Sequence, residues 1–118
     1  MIQINPQFTR TDLPTAVPVF AAGTVIRHRR YGYRGVVVSV DPWCRAAPEW
    51  YLSNSTQPAR EQPWYHVLVD GSDQVTYPAE ENLEADTTGK PVHHPWVNTF
   101  FSGFEDGCYR RNSTPWPG

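Results

Sequence analysis

Twelve prolines run from Pro6 to Pro117 in a chain of 118 residues. Each removes a backbone donor and clashes with the turn before it, so long helices are excluded. Four stretches between the prolines are rich in β-branched and aromatic residues, the composition of strands. They are Thr24–Arg29, Gly35–Asp41, Trp64–Asp70 and Gln74–Pro78. The first two flank Tyr31-Gly32-Tyr33, and the last two flank Asp70-Gly71-Ser72-Asp73, so the chain predicts two hairpins. The first link is too long for a two-residue turn, which calls for a wider loop with Gly32 at a positive φ. Alternation places Val36, Val38 and Val40 on one face. Candidate core positions are Val25, Val36, Val38, Val67, Val69, Val75 and Leu83. Four or five short strands with one long insertion predict an all-β fold, a small, partly open SH3-like barrel with a long inter-hairpin loop.

A chain of this length suits one modest core. Residues 1–19 read as an N-terminal arm in which Ile2 to Ile4 could add an edge strand, 20–112 as the barrel, and 113–118 as a frayed C-terminal tail. Residues 42–63 form the long loop, with four prolines and a polar run at Ser53–Gln57. Its expected arrangement has Trp43 docked on the barrel and residues 53–60 exposed and mobile. Ala79 to Leu83 reads as one tight turn with Leu83 pointing inward. Beyond it, 85–95 reads as loop, Trp96–Phe101 as a short helical turn, Ser102–Gly107 as loop and Cys108–Arg111 as a closing strand.

The net charge of −2 argues against a generic polycationic nucleic-acid binder. Charge is uneven, however. Arg27, Arg29, Arg30 and Arg34 gather in the first hairpin, while Asp70, Asp73, Glu80, Glu81, Glu84 and Asp86 gather later. A local basic face is compatible with that pattern. Cys44 and Cys108 are far apart and read as free thiols. The start of the chain lacks an apolar signal region, and no run is long enough to span a membrane. The expected compartment is cytoplasmic, with no membrane partner.

The stretches GTVIRHRRYGYRGVVVSVDP, WYHVLVD and TYPAEENL together resemble the YccV-like domain, the hemimethylated-DNA-binding or heat-shock HspQ-like family. The residues that carry the resemblance are His28, Gly32-Tyr33, Gly35-Val36-Val37, Asp41-Pro42, Trp64-Tyr65-His66, Tyr77, Glu80 and Leu83, with a weaker echo at Tyr109 to Asn112. It covers residues 20–83. It implies an SH3-like barrel, a non-enzymatic role in the stress response, and one of two partners. One is DNA, hemimethylated in particular. The other is an ATP-dependent protease such as Lon, or its client, with the chain acting as an adaptor. After Leu83 the sequence departs from that family. An aromatic PVHHPWVNTFFSGFEDG stands where HspQ-like members have an acidic, helix-favouring segment.

The residues themselves offer four candidate sites. Arg27, His28, Arg29, Arg30, Tyr31, Tyr33 and Arg34 could bind DNA, the arginines pairing with phosphate and the tyrosines stacking on bases. Strand alternation alone would equally give Arg27 and Arg29 as a solvated edge with Tyr33 packed inside. His28 and His66 could meet across the two hairpins as a ligand site, or sit half-buried and hydrogen-bonded. His28, His66, His93, His94, Cys44 and Cys108 lack zinc-ligand spacing, and no cofactor is expected. The aromatic set Trp43, Trp50, Tyr51, Trp64 and Trp96 serves either as core or as a protein-binding patch. Trp50, Tyr51, Trp64, His66 and Glu80 are the protein-binding candidates. Glu80 also suits a turn-stabilising role. No nucleophile elbow, phosphate loop or zincin motif is present, so the chain reads as a binding or adaptor protein and not an enzyme. An open barrel edge could also pair with a second copy of the chain.

Overall fold

The computed structural model describes residues 17–54 and 57–117. The proposed edge strand at Ile2–Ile4 and most of the arm lie outside the described residues. Seven strands carry the fold: β1 (Val25–His28), β2 (Arg34–Asp41), β3 (Trp64–Val69), β4 (Val75–Thr76), β5 (Leu83–Ala85), β6 (Phe101–Glu105) and β7 (Cys108–Arg111). Two short helices, α1 (Pro48–Ser53) and α2 (Val97–Phe100), and one 3₁₀ turn at Glu80–Asn82 complete it. β1 to β5 form one antiparallel sheet in the order β4-β3-β2-β1-β5. β4 and β5 remain edges, so the chain is a small all-β domain of the partly open SH3-like type. β6 and β7 pair separately. They touch the main sheet through a bridge between Thr24 and Cys108. No helix among the described residues is long and apolar enough to cross a membrane.

Both hairpins form as expected, and Gly32 takes φ +77° in the first turn. Side-chain alternation does not survive along β2. The pairing with β3 shifts register between Val37 and Ser39, so one residue of β2 bulges out of the ladder. Val36 and Val38 therefore pack with Val25 and Leu68 on one face, whereas Val40 joins Val37, Ile26, Tyr65 and Val67 on the other. The expected common face of Val36, Val38 and Val40 is broken at this bulge. β2 is buried on both sides because the C-terminal segment covers the outer face. Val92, Phe100, Phe101, Tyr109 and Trp116 all pack there. A strand buried on both faces reads as a continuous apolar run, and VVV and VLV are such runs.

Four further expectations are corrected. Val75 is 38% exposed and not core, because β4 is a two-residue edge strand. Ser102–Gly107 is not a loop but most of β6 and its turn. Leu83, buried as expected, also opens β5, a strand hydrogen-bonded to β1. Within the tail expected to fray, Trp116 packs: it stacks edge-on against Phe100 at 5.2 Å and Trp96 at 6.1 Å.

Candidate functional site: an aromatic cleft between the hairpins

The 42–63 loop contains structure of its own, and it builds one wall of a cleft. Cys44, not Trp43, is the docked residue. Cys44 is buried against Trp64 and Ala79, while Trp43 stays 49% exposed beneath the Arg45 guanidinium. Pro48 stands in the first turn of α1, where its missing donor costs nothing. Arg60 then closes the loop on itself. Its guanidinium donates to the carbonyls of Ala46 (2.7 Å) and Cys44 (3.4 Å) and lies over the Tyr51 ring. The Tyr51 hydroxyl donates to the carbonyls of Gln57 and Pro58. Of the polar 53–60 segment, the described residues are exposed or half-buried.

This arrangement leaves a cleft of about 620 Å³. Its walls come from α1, the β1–β2 turn and the β3–β4 hairpin. Among the described residues, seven rings line it: His28, Tyr31, Tyr33, Trp50, Trp64, His66 and Tyr77. Trp64 is core, 3% exposed, and presents only an edge. Trp50 leans edge-on against both Trp64 and Tyr77, at 6.3 and 5.7 Å. Asp41 forms the polar floor. Its Oδ2 accepts from the Tyr77 hydroxyl at 2.6 Å and from His66 Nε2 at 3.2 Å. A carboxylate only accepts, so the His66 proton resides on Nε2. Tyr77 in turn accepts from the Arg45 backbone N–H. Burial lowers the His66 pKa despite the opposing pull of Asp41.

His28 is buried and organises the other rim. Its Nδ1 accepts from the backbone N–H groups of Arg30 (3.1 Å) and Tyr31 (3.0 Å). Its ring stacks with both Tyr31 and Tyr33, at 4.7 and 5.1 Å. Burial, helped by the Arg30 charge, lowers its pKa, so the ring stays neutral at pH 7. The Tyr33 hydroxyl bonds Thr76 at 2.8 Å, tying the two hairpins together across the cleft. Tyr31 is 56% exposed. His28 and His66 thus line one cleft, each hydrogen-bonded to a group other than its counterpart.

The arginines separate. Arg34 is committed to the fold. Its side chain is 14% exposed, and it donates to Asp70 Oδ2 (3.0 Å), Asp86 Oδ2 (3.1 Å) and the Lys90 carbonyl (2.7 Å). Its Nε also lies 3.1 Å from Asp86 Oδ1, an ion pair outside hydrogen-bond geometry. Arg27 lies 3.9 Å from Asp86. Arg29 lies 3.7 Å from Glu84 and donates to the Leu83 carbonyl. Arg30 makes no ion pair among the described residues, and it leans over Tyr31. Arg45, which lines the cleft and lies over the Trp43 ring, also makes no ion pair among the described residues.

Among the protein-binding candidates, Trp50, Trp64 and His66 line the cleft, while Tyr51 packs with Cys44 and Trp64. Glu80 faces away. It accepts from the Tyr65 hydroxyl at 2.6 Å and from the Val19 N–H at 2.9 Å, anchoring the incoming chain. Asp41, Arg45, Tyr77 and Asn82 were not among the candidates, yet all line the cleft. Asp41 and Tyr77 had a signal, since both stand in the stretches that carry the family resemblance. Asn82 stands in the same stretch as Tyr77, whereas Arg45 had no signal, because only the folding of the long loop brings it to the cleft.

Residues 18–108 match the family described as "Hemimethylated DNA-binding protein YccV like". F-box only protein 21 from Mus musculus is 38% identical over 98 residues, covering 80% of this chain and 15% of that protein. The proteins of the same name from Pongo abelii and Homo sapiens are each 37% identical over 98 residues. The chain therefore spans about a sixth of the length of these relatives. The matched segment contains both hairpins, the long loop and every residue named at the cleft, and the chain belongs to the YccV-like family.

Proposed function

We propose that this chain is a non-enzymatic binding module whose ligand is DNA, the hemimethylated duplex named in the family description being the first candidate. The observation that carries the reading is the rim built by His28. Exposed Tyr31 stacks on it, and Arg29 and Arg30 stand in the same turn. Arg45 lines the same cleft. A ring platform flanked by cations is the arrangement that holds a nucleotide, base on ring and phosphate on guanidinium. Because Arg27, Arg29 and Arg34 already have acidic partners, few phosphates are neutralised. Two or three contacts give a slope of log K against log salt of about −2 to −3.

The test is fluorescence anisotropy on hemimethylated, fully methylated and unmethylated duplexes across a salt series. Binding with that shallow slope, weakened by Arg30→Ala and Tyr31→Ala, is the expected result. Absence of binding at low salt sinks the reading. A second reading, capture of a protein by the same cleft, is favoured by those same ion pairs, which leave the hairpin only modestly basic. It predicts affinity nearly independent of salt and most sensitive to Trp50→Ala.

A further inference from the structure

We propose that the cleft receives a single base drawn out of the DNA stack, its exocyclic amino group donating to Asp41 Oδ1. The inference rests on the DNA reading and specifies what the cleft does with the ligand. A paired duplex offers base edges and sugar-phosphate, not ring faces. Ring walls recognise a base only once it is unstacked. Here Tyr31, Trp50 and Tyr77 wall one cleft, whose 620 Å³ lies within the range of small-ligand sites.

The floor gives the base its identity. Tyr77 and His66 both donate to Oδ2 of Asp41, and Oδ1 has no hydrogen-bond partner among the described residues. The two donors hold the carboxylate in place and leave Oδ1 free to accept, on a residue that lines the cleft. An acceptor selects a donor. Adenine, cytosine and guanine carry an exocyclic amino group, whereas thymine has none. A methyl group on adenine N6 leaves one N–H there, so methylation alters the fit without abolishing the bond. The Asn82 side chain lines the same cleft and makes no hydrogen bond among the described residues, so it adds both a donor and an acceptor.

The experiment measures affinity of the full chain for short fluorescein-labelled duplexes that differ at one central adenine. That base is paired, mispaired, or placed opposite an abasic site. Extrusion costs least where pairing is already lost. Affinity should therefore rise tenfold or more from the paired to the abasic-opposed duplex. Replacing the adenine by thymine should remove that gain. Asp41→Asn, which can turn an amide N–H toward the cleft, should shift the preference from adenine to thymine. A change of preference is not what loss of folding produces. Tyr31→Ala, at an exposed position, should reduce the abasic gain with the melting temperature unchanged. Equal affinity for all three duplexes overturns the base-capture inference while leaving DNA binding intact. Binding of an arginine- or lysine-rich peptide, with no DNA bound at any salt, overturns both.

Discussion

Replacing Arg34 by glutamine tests whether the most heavily bonded arginine of the first hairpin belongs to the fold or to the ligand. Arg34 joins three otherwise separate segments: the β3–β4 turn through Asp70, the end of β5 through Asp86, and the 90–91 loop through two carbonyls. The Asp86 side chain is 1% exposed. Burial pushes its pKa up, but hydrogen bonds from Arg34 and Thr88 and the Arg34 charge outweigh this and hold it below the usual value. Without the guanidinium, a buried carboxylate keeps only the Thr88 donors and a distant Arg27. Breaking a buried pair on one side costs about 3–5 kcal/mol. The Thr88 donors place this case near the lower end, and about 3 kcal/mol lowers the melting temperature by on the order of 15 °C. Thermal and urea denaturation read the loss directly. Adding Asp86→Asn to Arg34→Gln should recover part of it, since the stranded charge is then gone. A fall of less than about 2 °C refutes the reasoning and returns Arg34 to the surface, as a cation available to phosphate.

Gly23→Ala should destabilise by about 3 kcal/mol in urea denaturation, because Gly23 holds φ +99° and an added Cβ collides with the Tyr109 carbonyl oxygen; an unchanged midpoint would show that β7 is free to move away. Acidification should weaken the fold below about pH 6.5, since burial leads in lowering the pKa of both His28 and His66. The unfolded chain then binds more protons, so their contribution is present above 6.5 and is lost as pH falls through the folded values; a urea midpoint that holds or rises between pH 7.5 and 5.5 contradicts this. Trp116→Ala should cost about 2 kcal/mol, less than a fully buried tryptophan, by uncovering Phe100 and Val38; no loss would mean that the last residues do not close the outer face.

The hairpins were legible because each carries its signal locally: a β-branched run, a turn residue, a second run. Gly32 and Asp70-Gly71 mark those turns in the sequence and occupy them in the fold. The face of each valine was not legible. A bulge between Val37 and Ser39 reverses the pattern after it, and no residue type at that point announces one. β5 and β6 escaped for a different reason. Leu83-Glu84-Ala85 has little strand propensity and is strand only because β1 stands beside it. Phe101–Glu105 contains Ser102 and Gly103 and becomes strand by pairing with Cys108–Arg111. Trp43 and Cys44 exchanged roles because size suggested the tryptophan as the anchor. The small space between Trp64 and Ala79 instead suits a thiol.

Charge misled in a more instructive way. Four arginines within eight residues look like a surface for phosphate, yet sequence distance says nothing about which acid lies opposite. β1 pairs with β5, and this register sets Arg27 against Glu84 and brings Asp86 to the sheet beside Arg27 and Arg34. Half of the acidic group that looked like a separate feature of the chain, Asp70, Glu84 and Asp86, is the counter-charge of the basic one. What the hairpin retains for a ligand is its tip, Arg30 and Tyr31, which His28 holds by two hydrogen bonds from inside the fold. Affinity must then come chiefly from rings and only secondarily from charge. On the proposed reading, such a module would bind DNA weakly along its length and discriminate at the one place where a base can leave the stack.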